Sequence, residues 1–177
     1  MTDTARLYGG SLYDLAAGEE LSEEIGSQLE QIRTLFKENP DYIRLLNEPS
    51  IPLKKRQELI EEAFGAQAQR YLVSFLKLLC ERGLLRDFGG CCEAFTTRYY
   101  ADHGIARAVA TSAVGLTADQ QEALRRKLEK ISGKQVVLEV RKDPSVIAGL
   151  RVEMEGKLLD GTVHGRVQDL SRRLKEA

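Results

Sequence analysis

The sequence predicts an α+β chain in two parts, an N-terminal six-helix bundle followed by a small α/β C-terminal domain with a β-hairpin. The spacing of apolar residues indicates this division, because it is helical up to Tyr99 and alternates along short segments after Gly104. The charge balance changes at the same place: residues 1–105 carry 12 Lys+Arg and 17 Asp+Glu, and the rest of the chain carries 14 and 10. We therefore predict two domains, residues 1–104 and 105–177.

The composition is typical of a soluble globular protein and narrows the classes of function. Of the 177 residues, 42% are hydrophobic and 30% are charged, and the formal net charge is −1. A protein that binds nucleic acid through its phosphates is usually basic. No apolar run approaches the roughly 20 residues of a membrane-spanning helix. The N-terminus resembles neither a signal peptide nor a transit peptide, and three cysteines do not make a disulfide framework. We expect a soluble cytosolic protein.

The first predicted helix ends near Gly18 and has an apolar stripe formed by Leu7, Tyr8, Leu12 and Leu15. Gly9 and Gly10 interrupt it, and each costs about 1 kcal/mol relative to alanine in a helix. Either another backbone approaches closely at these glycines, or the helix is weak.

Five further helices follow from the same periodicity, at residues 20–38, 41–46, 53–64, 68–82 and 85–99. The helix at 68–82 differs from the others because eight of the ten residues from Tyr71 to Cys80 are apolar or aromatic. A helix that is apolar almost all round is either central in a bundle or covered by a partner. Short connections between the six predict an antiparallel bundle.

The second part alternates strands and helices. Strands are predicted at residues 106–113, 135–141 and 150–154, with a hairpin turn at Gly156-Lys157 that leads into Leu158-Leu159. A capping box that begins at Thr117 predicts a helix with Leu124, Leu128 and Ile131 facing inward. Thr162 can cap a last helix that carries Val163, Val167, Leu170 and Leu174.

No catalytic or metal-binding constellation is recognisable. His103 and His164 have no histidine or cysteine at helical metal-site spacing, and Cys91-Cys92 lacks the two-residue gap of a redox or zinc motif. Cys80 and Cys92 lie on apolar stripes and are interpreted as core residues. No glycine-rich phosphate loop is present. We predict that the chain is not an enzyme and binds no cofactor or metal.

Two features are candidates for binding. The first is the pair of helices at residues 7–17 and 71–82, whose apolar surface is either core or a groove for a partner helix. The second is a set of basic clusters, which is either a solvated helix face or a site for an acidic or amphipathic helical partner. The basic residues are Arg125, Arg126, Lys127, Lys130 and Lys134, followed by Arg166, Arg172, Arg173 and Lys175.

Four segments carry a resemblance to a known family. Residues 8–13 (YGGSLY) stand where that family tends to have Tyr-Ala-x-Ala-Leu, and residues 49–55 (PSIPLKK) match its connection into the fourth helix. Residues 79–86 (LCERGLLR) are similar to its Gly-Arg-Leu hallmark. Residues 143–163 (DPSVIAGLRVEMEGKLLDGTV) follow its Asp-Pro-x-Ile-x-Gly, strand, hairpin and Asp-x-Ser order. The chain thus resembles the delta subunit of bacterial F-type ATP synthase, whose mitochondrial relative is the oligomycin-sensitivity-conferring protein.

The resemblance implies a non-catalytic stator subunit, present once per complex at the cytoplasmic face of the bacterial inner membrane and without membrane insertion. In that family the N-terminal bundle binds the N-terminal helices of the alpha subunits through a groove between the first and fifth helices. The C-terminal domain binds the b subunits of the peripheral stalk. Carried over to this sequence, the groove residues are Leu7, Tyr8, Ser11, Leu12, Leu15, Val73, Leu76 and Cys80.

The alternative function is an RNA-binding adaptor that uses the basic C-terminal domain. The net charge disfavours it, and so does the lack of aromatic residues on the predicted strands, because RNA-binding sheets stack bases on such residues. For the stator hypothesis, we expect Leu76→Asp to weaken binding of the alpha-subunit peptide.

Overall fold

The computed structural model describes residues 2–146 and 149–160. By the contacts within the chain, two compact units divide between Tyr99 and Tyr100. The predicted last helix, with His164 and the basic residues that follow it, lies outside the described residues. Within the described part the chain has seven α-helices and a small β-sheet, so the predicted α+β class is confirmed.

Six α-helices come before the first strand in the described part of the chain. They are α1 (Asp3–Gly18), α2 (Ser22–Glu38), α3 (Pro40–Leu46), α4 (Leu53–Phe64), α5 (Arg70–Glu81) and α6 (Phe88–Asp102), with a short 3₁₀ turn at Leu85–Asp87. Local chemistry sets several of their ends. The Thr2 hydroxyl accepts a hydrogen bond from the Ala5 N–H and caps α1. Pro40 begins α3, where its missing N–H is not needed.

The helical unit has one core, to which every one of these helices contributes. An aromatic cluster formed by Phe36, Tyr42, Phe64 and Phe88 joins α2, α3, α4 and α6 with ring centroids 5.1–6.3 Å apart. The most completely buried helix is α5, whose core residues are Leu72, Val73, Phe75, Leu76, Leu79 and Cys80. Of the two interpretations of its apolar surface, the structure supports the central position.

The buried face of α1 differs from the predicted stripe. It consists of Ala5, Gly9, Gly10, Leu12, Tyr13 and Ala16, whereas Leu7 is 68% exposed and Leu15 is 43% exposed. Small residues face the core because α6 crosses close to this side of the helix. A Cβ built on Gly9 would overlap the carbonyl oxygen of Cys91 and lie 2.8 Å from the Cβ of Ala94. The glycines therefore mark the close backbone approach that the sequence left open against a weak helix.

The second unit has a four-stranded sheet in the order β2-β1-β3-β4. The strands are β1 (Ile105–Ser112), β2 (Gln135–Lys142), β3 (Leu150–Met154) and β4 (Lys157–Asp160). β1 and β2 are parallel and are connected through α7 (Ala118–Ser132), whereas β3 is antiparallel to both β1 and β4. The predicted capping box is present, since Thr117 and Gln120 exchange side-chain to backbone hydrogen bonds.

One face of this sheet packs against α7. Its buried residues are Ala106, Ala108, Ala110, Leu128, Val136, Val152 and Met154. Leu124 and Leu128 face this core as predicted, but Ile131 is 61% exposed, so its predicted inward position was wrong. Ile131 is in the last turn of α7, where the helix extends to Ser132 and the chain then turns at Gly133 into β2.

The hairpin turn lies one residue earlier than predicted. Glu155 and Gly156 form it, with φ of 50° and 74°, and Lys157 already pairs with Met154. A two-residue turn between antiparallel strands favours positive φ at both positions, a conformation that suits the right-handed twist of the strands. Glycine adopts it at little cost, so Gly156 is the second turn residue rather than the first.

Candidate functional site

The α1 half of the predicted groove is divided between surface and core. Leu7, Ser11 and Leu15 are exposed and four residues apart, so they form one outward stripe along the helix. Tyr8 is half-buried and packs against the helical core, and Leu12 lies within it at 4% exposure. Leu7, Ser11 and Leu15, together with the edge of Tyr8, are therefore the part of the prediction that a partner can reach.

The α5 half of the predicted groove is inside the core. Val73 is 5% exposed, Leu76 is 0% and Cys80 is 1% exposed, and the Cys80 thiol donates to the Leu46 carbonyl oxygen at 3.4 Å. These three residues offer no surface to a partner, because they fill the centre of the helical unit. The structure does not bring them into an open groove with Leu7 and Leu15, and Leu76→Asp would place a charge in the core rather than test an interface.

Three contacts fix α1 against α6, and the sequence alone did not indicate two of them. The first is the close approach of Gly9 to Cys91 described above. The second is an ion pair between Asp14 and Arg98 at 3.0 Å. The third is an edge-to-face contact of Tyr13 with Phe95, with ring centroids 5.4 Å apart. The outward stripe of Leu7, Ser11 and Leu15 is thus presented on a helix whose opposite face is firmly packed.

The three cysteines are buried free thiols, which confirms the interpretation of Cys80 and Cys92 as core residues. Burial raises the pKa of the Cys91 thiol to about 11, with a further contribution from the Asp87 carboxylate. Burial also raises the thiol pKa of Cys80 and of Cys92. A buried thiol that stays protonated is a poor nucleophile and a poor metal ligand. In the described part of the chain, no group of His, Cys, Asp and Glu is arranged to hold a metal ion.

The basic cluster on α7 is largely neutralised by neighbouring carboxylates. Arg125 pairs with Glu122 at 2.8 Å and with Glu129 at 2.9 Å, and Arg126 pairs with Glu122 at 2.9 Å. Lys134 pairs with Glu155. The hydrogen bonds from both arginines hold the pKa of Glu122 at about 2. Most of this cluster is therefore a charge-balanced helix face, the simpler of the two interpretations.

The second unit has exposed apolar residues of its own. Ile131 on α7 is 61% exposed and Val137 on β2 is 43% exposed. An open cavity of about 720 Å³ borders this region and is lined by Arg125, Glu129, Lys134 and Val137, among others. The four strands carry no aromatic residue, so this sheet lacks the side chains on which RNA-binding sheets stack bases. These apolar side chains make the region a candidate contact surface for a protein.

Comparison with known proteins gives one consistent result. The family model described as ATP synthase delta (OSCP) subunit matches residues 4–174. ATP synthase subunit delta 2 of Syntrophotalea carbinolica is 33% identical, and the alignment covers 96% of both chains. The chloroplast ATP synthase subunit delta of Emiliania huxleyi is 29% identical over 93% of this chain and 92% of the relative.

A mitochondrial relative and a solved structure extend the comparison. ATP synthase subunit O of Ipomoea batatas mitochondria is 28% identical, over 96% of this chain and 70% of the relative. A chain in the cryo-EM structure of the Toxoplasma gondii mitochondrial ATP synthase hexamer has the same fold, with a TM-score of 0.75 over 98% of both chains and 19% identity. In the described part of our chain, no helix is long and apolar enough to cross a membrane.

Proposed function

The chain belongs to the ATP synthase delta (OSCP) subunit family, and from this premise we propose that its helical unit binds the catalytic head while its second unit binds the peripheral stalk. As a member of that family it is a non-catalytic stator subunit of an F-type ATP synthase. The specific partners that we propose are the N-terminal helices of the alpha subunits and the b subunits. The proposed location is the cytoplasmic face of the bacterial inner membrane, with one copy per complex.

The observation that carries the proposal is the outward stripe of Leu7, Ser11 and Leu15 on a helix fixed from behind. Binding a helix in this mode uses apolar anchors spaced by three, four or seven residues. A stator contact also has to resist the torque of the rotor, so the binding helix needs firm support. The Gly9–Cys91 approach and the Asp14–Arg98 ion pair supply that support by joining α1 to α6. We propose that the six helices act as one bundle in this role.

Two interfaces in one chain strengthen each other. Once one unit has bound its partner, the second binding event is effectively intramolecular, so avidity exceeds either single affinity. In the second unit we propose that b-subunit contacts include the exposed Ile131 and Val137 beside the open cavity. No transformation of a small molecule is needed for this function, which depends only on binding and mechanical resistance.

The test is binding of the alpha-subunit N-terminal peptide to the full chain, measured by calorimetry. Leu7→Asp and Leu15→Asp are expected to weaken binding at least tenfold, since each places a charge on the apolar stripe. Leu35→Asp is the matched control, because Leu35 is 46% exposed on α2 and lies outside the stripe. Unchanged affinity in both stripe variants, with the helical signal of the wild type, would remove this surface from the proposal.

A complementary test uses the whole complex. Membranes that contain the chain should yield alpha, beta and b subunits on purification through a tag on it. Complexes reconstituted without the chain should hydrolyse ATP but couple that hydrolysis poorly to proton movement. Full coupling in its absence would contradict the stator role.

A further inference from the structure

The surface around the outward stripe of α1 is acidic, which bears on what binds there. Asp3 lies four residues before Leu7, and Asp14 lies three residues after Ser11, so both carboxylates share the face of the stripe. Asp3 is 98% exposed and Asp14 is 58% exposed. Glu19 and Glu20 follow directly after the helix. This argument rests on the function proposed above, because it concerns the same surface.

Some of this negative charge is balanced within the chain, and some is not. Arg6 lies 3.6 Å from Asp3, and Arg98 pairs with Asp14 at 3.0 Å. Glu19 is within electrostatic reach of Arg70. For Glu20 and Glu23, the described residues supply no cation within 4 Å.

The unbalanced carboxylates surround an open depression just beyond the C-terminal end of α1. It has a volume of about 520 Å³, and its lining includes Glu20, Glu23, Glu24 and the amide side chains of Gln28 and Gln31. The Glu24 carboxylate accepts a hydrogen bond from the Gln69 side chain at 2.8 Å, which leaves Glu20 and Glu23 as the charged groups free of such a contact. An apolar stripe that ends at an acidic depression is complementary to a helix that is apolar on one face and basic at one end.

We propose that the occupant of this surface is a positively charged amphipathic helix. Its apolar face packs on Leu7 and Leu15, and one or more Lys or Arg side chains reach Glu20 and Glu23. The net charge of residues 1–105, with 12 Lys+Arg and 17 Asp+Glu, favours such a partner at longer range. Charge complementarity of this kind raises the association rate and excludes acidic helices more than it raises the affinity.

The experiment measures binding of two peptides by the full chain at about 50 and 300 mM salt. The first is the N-terminal peptide of the alpha subunit from the same organism, and the second is that peptide with every Lys and Arg replaced by Gln. We expect the unmodified peptide to bind more tightly and to lose affinity with salt, because exposed charges are screened. Glu20→Gln and Glu23→Gln should each weaken its binding roughly two- to fivefold, the range of an exposed ion pair.

Glu38→Gln is the matched control. Glu38 ends the same helix that Glu23 begins, about 22 Å away at the rise of an α-helix, so its loss should leave affinity unchanged. A charge exchange gives a second readout: Glu23→Lys should lose binding and regain part of it with a peptide in which one Lys is changed to Glu. Rescue by one such peptide supports the direct contact.

The outcomes separate this proposal from the one on which it rests. Equal affinity for both peptides, without salt dependence, overturns the basic partner and leaves the helix-binding function intact. Tighter binding of the Gln peptide overturns it as well. Failure of the chain to bind either peptide contradicts the proposed binding of the alpha subunit itself.

Discussion

Gly9 of α1 lies so close to Cys91 of α6 that a Cβ atom at position 9 would overlap the Cys91 carbonyl oxygen. The crossing of these helices therefore depends on the absence of a side chain. The cost of a glycine in a helix is about 1 kcal/mol relative to alanine, and it is offset here by the packing that the close approach allows. The same approach turns the larger side chains Leu7 and Leu15 toward the surface, where the proposed partner binds.

Gly9→Ala is expected to destabilise the protein by about 1–3 kcal/mol, the usual cost of overpacking, despite the better helix propensity of alanine. Urea unfolding followed by circular dichroism measures the change. Gly89→Ala in α6 is the control, since a Cβ there meets nothing within 4 Å and should leave stability equal or higher. A stable Gly9→Ala variant would mean that the two helices can separate at no cost.

Leu76→Ala is expected to cost about 2–4 kcal/mol of unfolding free energy, because its side chain is fully buried on α5 and its removal leaves a cavity. Leu78→Ala, two residues further along the same helix, should cost less than about 1 kcal/mol, since Leu78 is 38% exposed. Similar denaturation midpoints for the two variants would contradict the assignment of the α5 residues to the core.

The ion pairs of Glu122 predict a pH dependence at acidic pH. Hydrogen bonds from Arg125 and then Arg126 lower the pKa of this carboxyl from 4.5 to about 2. The folded state therefore gains stability from the ionised group above about pH 4.5 and loses that gain as the pH falls to 2. The effect is small because the carboxyl is exposed to solvent.

Carbon-detected NMR titration should place the midpoint of the Glu122 carboxyl near pH 2, and Glu122→Gln should flatten the loss of stability between pH 4.5 and 2. Salt at about 1 M should raise the midpoint toward its ordinary value, because the screening length is then about 3 Å. A midpoint near 4.5 at low salt would show that the ion pairs do not persist in solution.

The cysteines should resist thiol reagents while the protein is folded. Burial raises the pKa of the Cys91 thiol to about 11 and also raises the thiol pKa of Cys80 and Cys92, and only the thiolate reacts rapidly. Reaction with a chromogenic disulfide should be slow in buffer and should release three equivalents in denaturant. Rapid reaction of any thiol in the native protein would contradict its buried position.

Much of the architecture followed from local pattern alone. The periodicity of α2 and α5, the Asn39-Pro40 junction and the capping box at Thr117 placed elements close to where the structure has them, since each signal acts within a few residues. The hairpin turn was predicted one residue too late, because its register depends on the pairing of Met154 with Lys157 and that contact is between strands.

The candidate site was only half visible in the sequence. The resemblance of residues 8–13 to the family directed attention to α1, but periodicity could not tell which of its apolar residues face outward. Position in the helical unit decided this: Leu76 and Cys80 are buried, whereas Leu7 and Leu15 are exposed. The Arg98 contact with Asp14 joins residues 84 positions apart, and no local signal predicts such a pair.

By itself, the sequence determined the α+β class, the change of character near Gly104 and the absence of a recognisable catalytic motif, because apolar spacing, charge balance and motif spacing can all be read along the chain. Only the tertiary structure decided that small residues turn α1 inward and leave Leu7 and Leu15 at the surface. The physical reason is that a helix has several apolar faces to choose from, and the face that is buried is the one whose shape its neighbour can approach, here the Gly9 side against the backbone of α6.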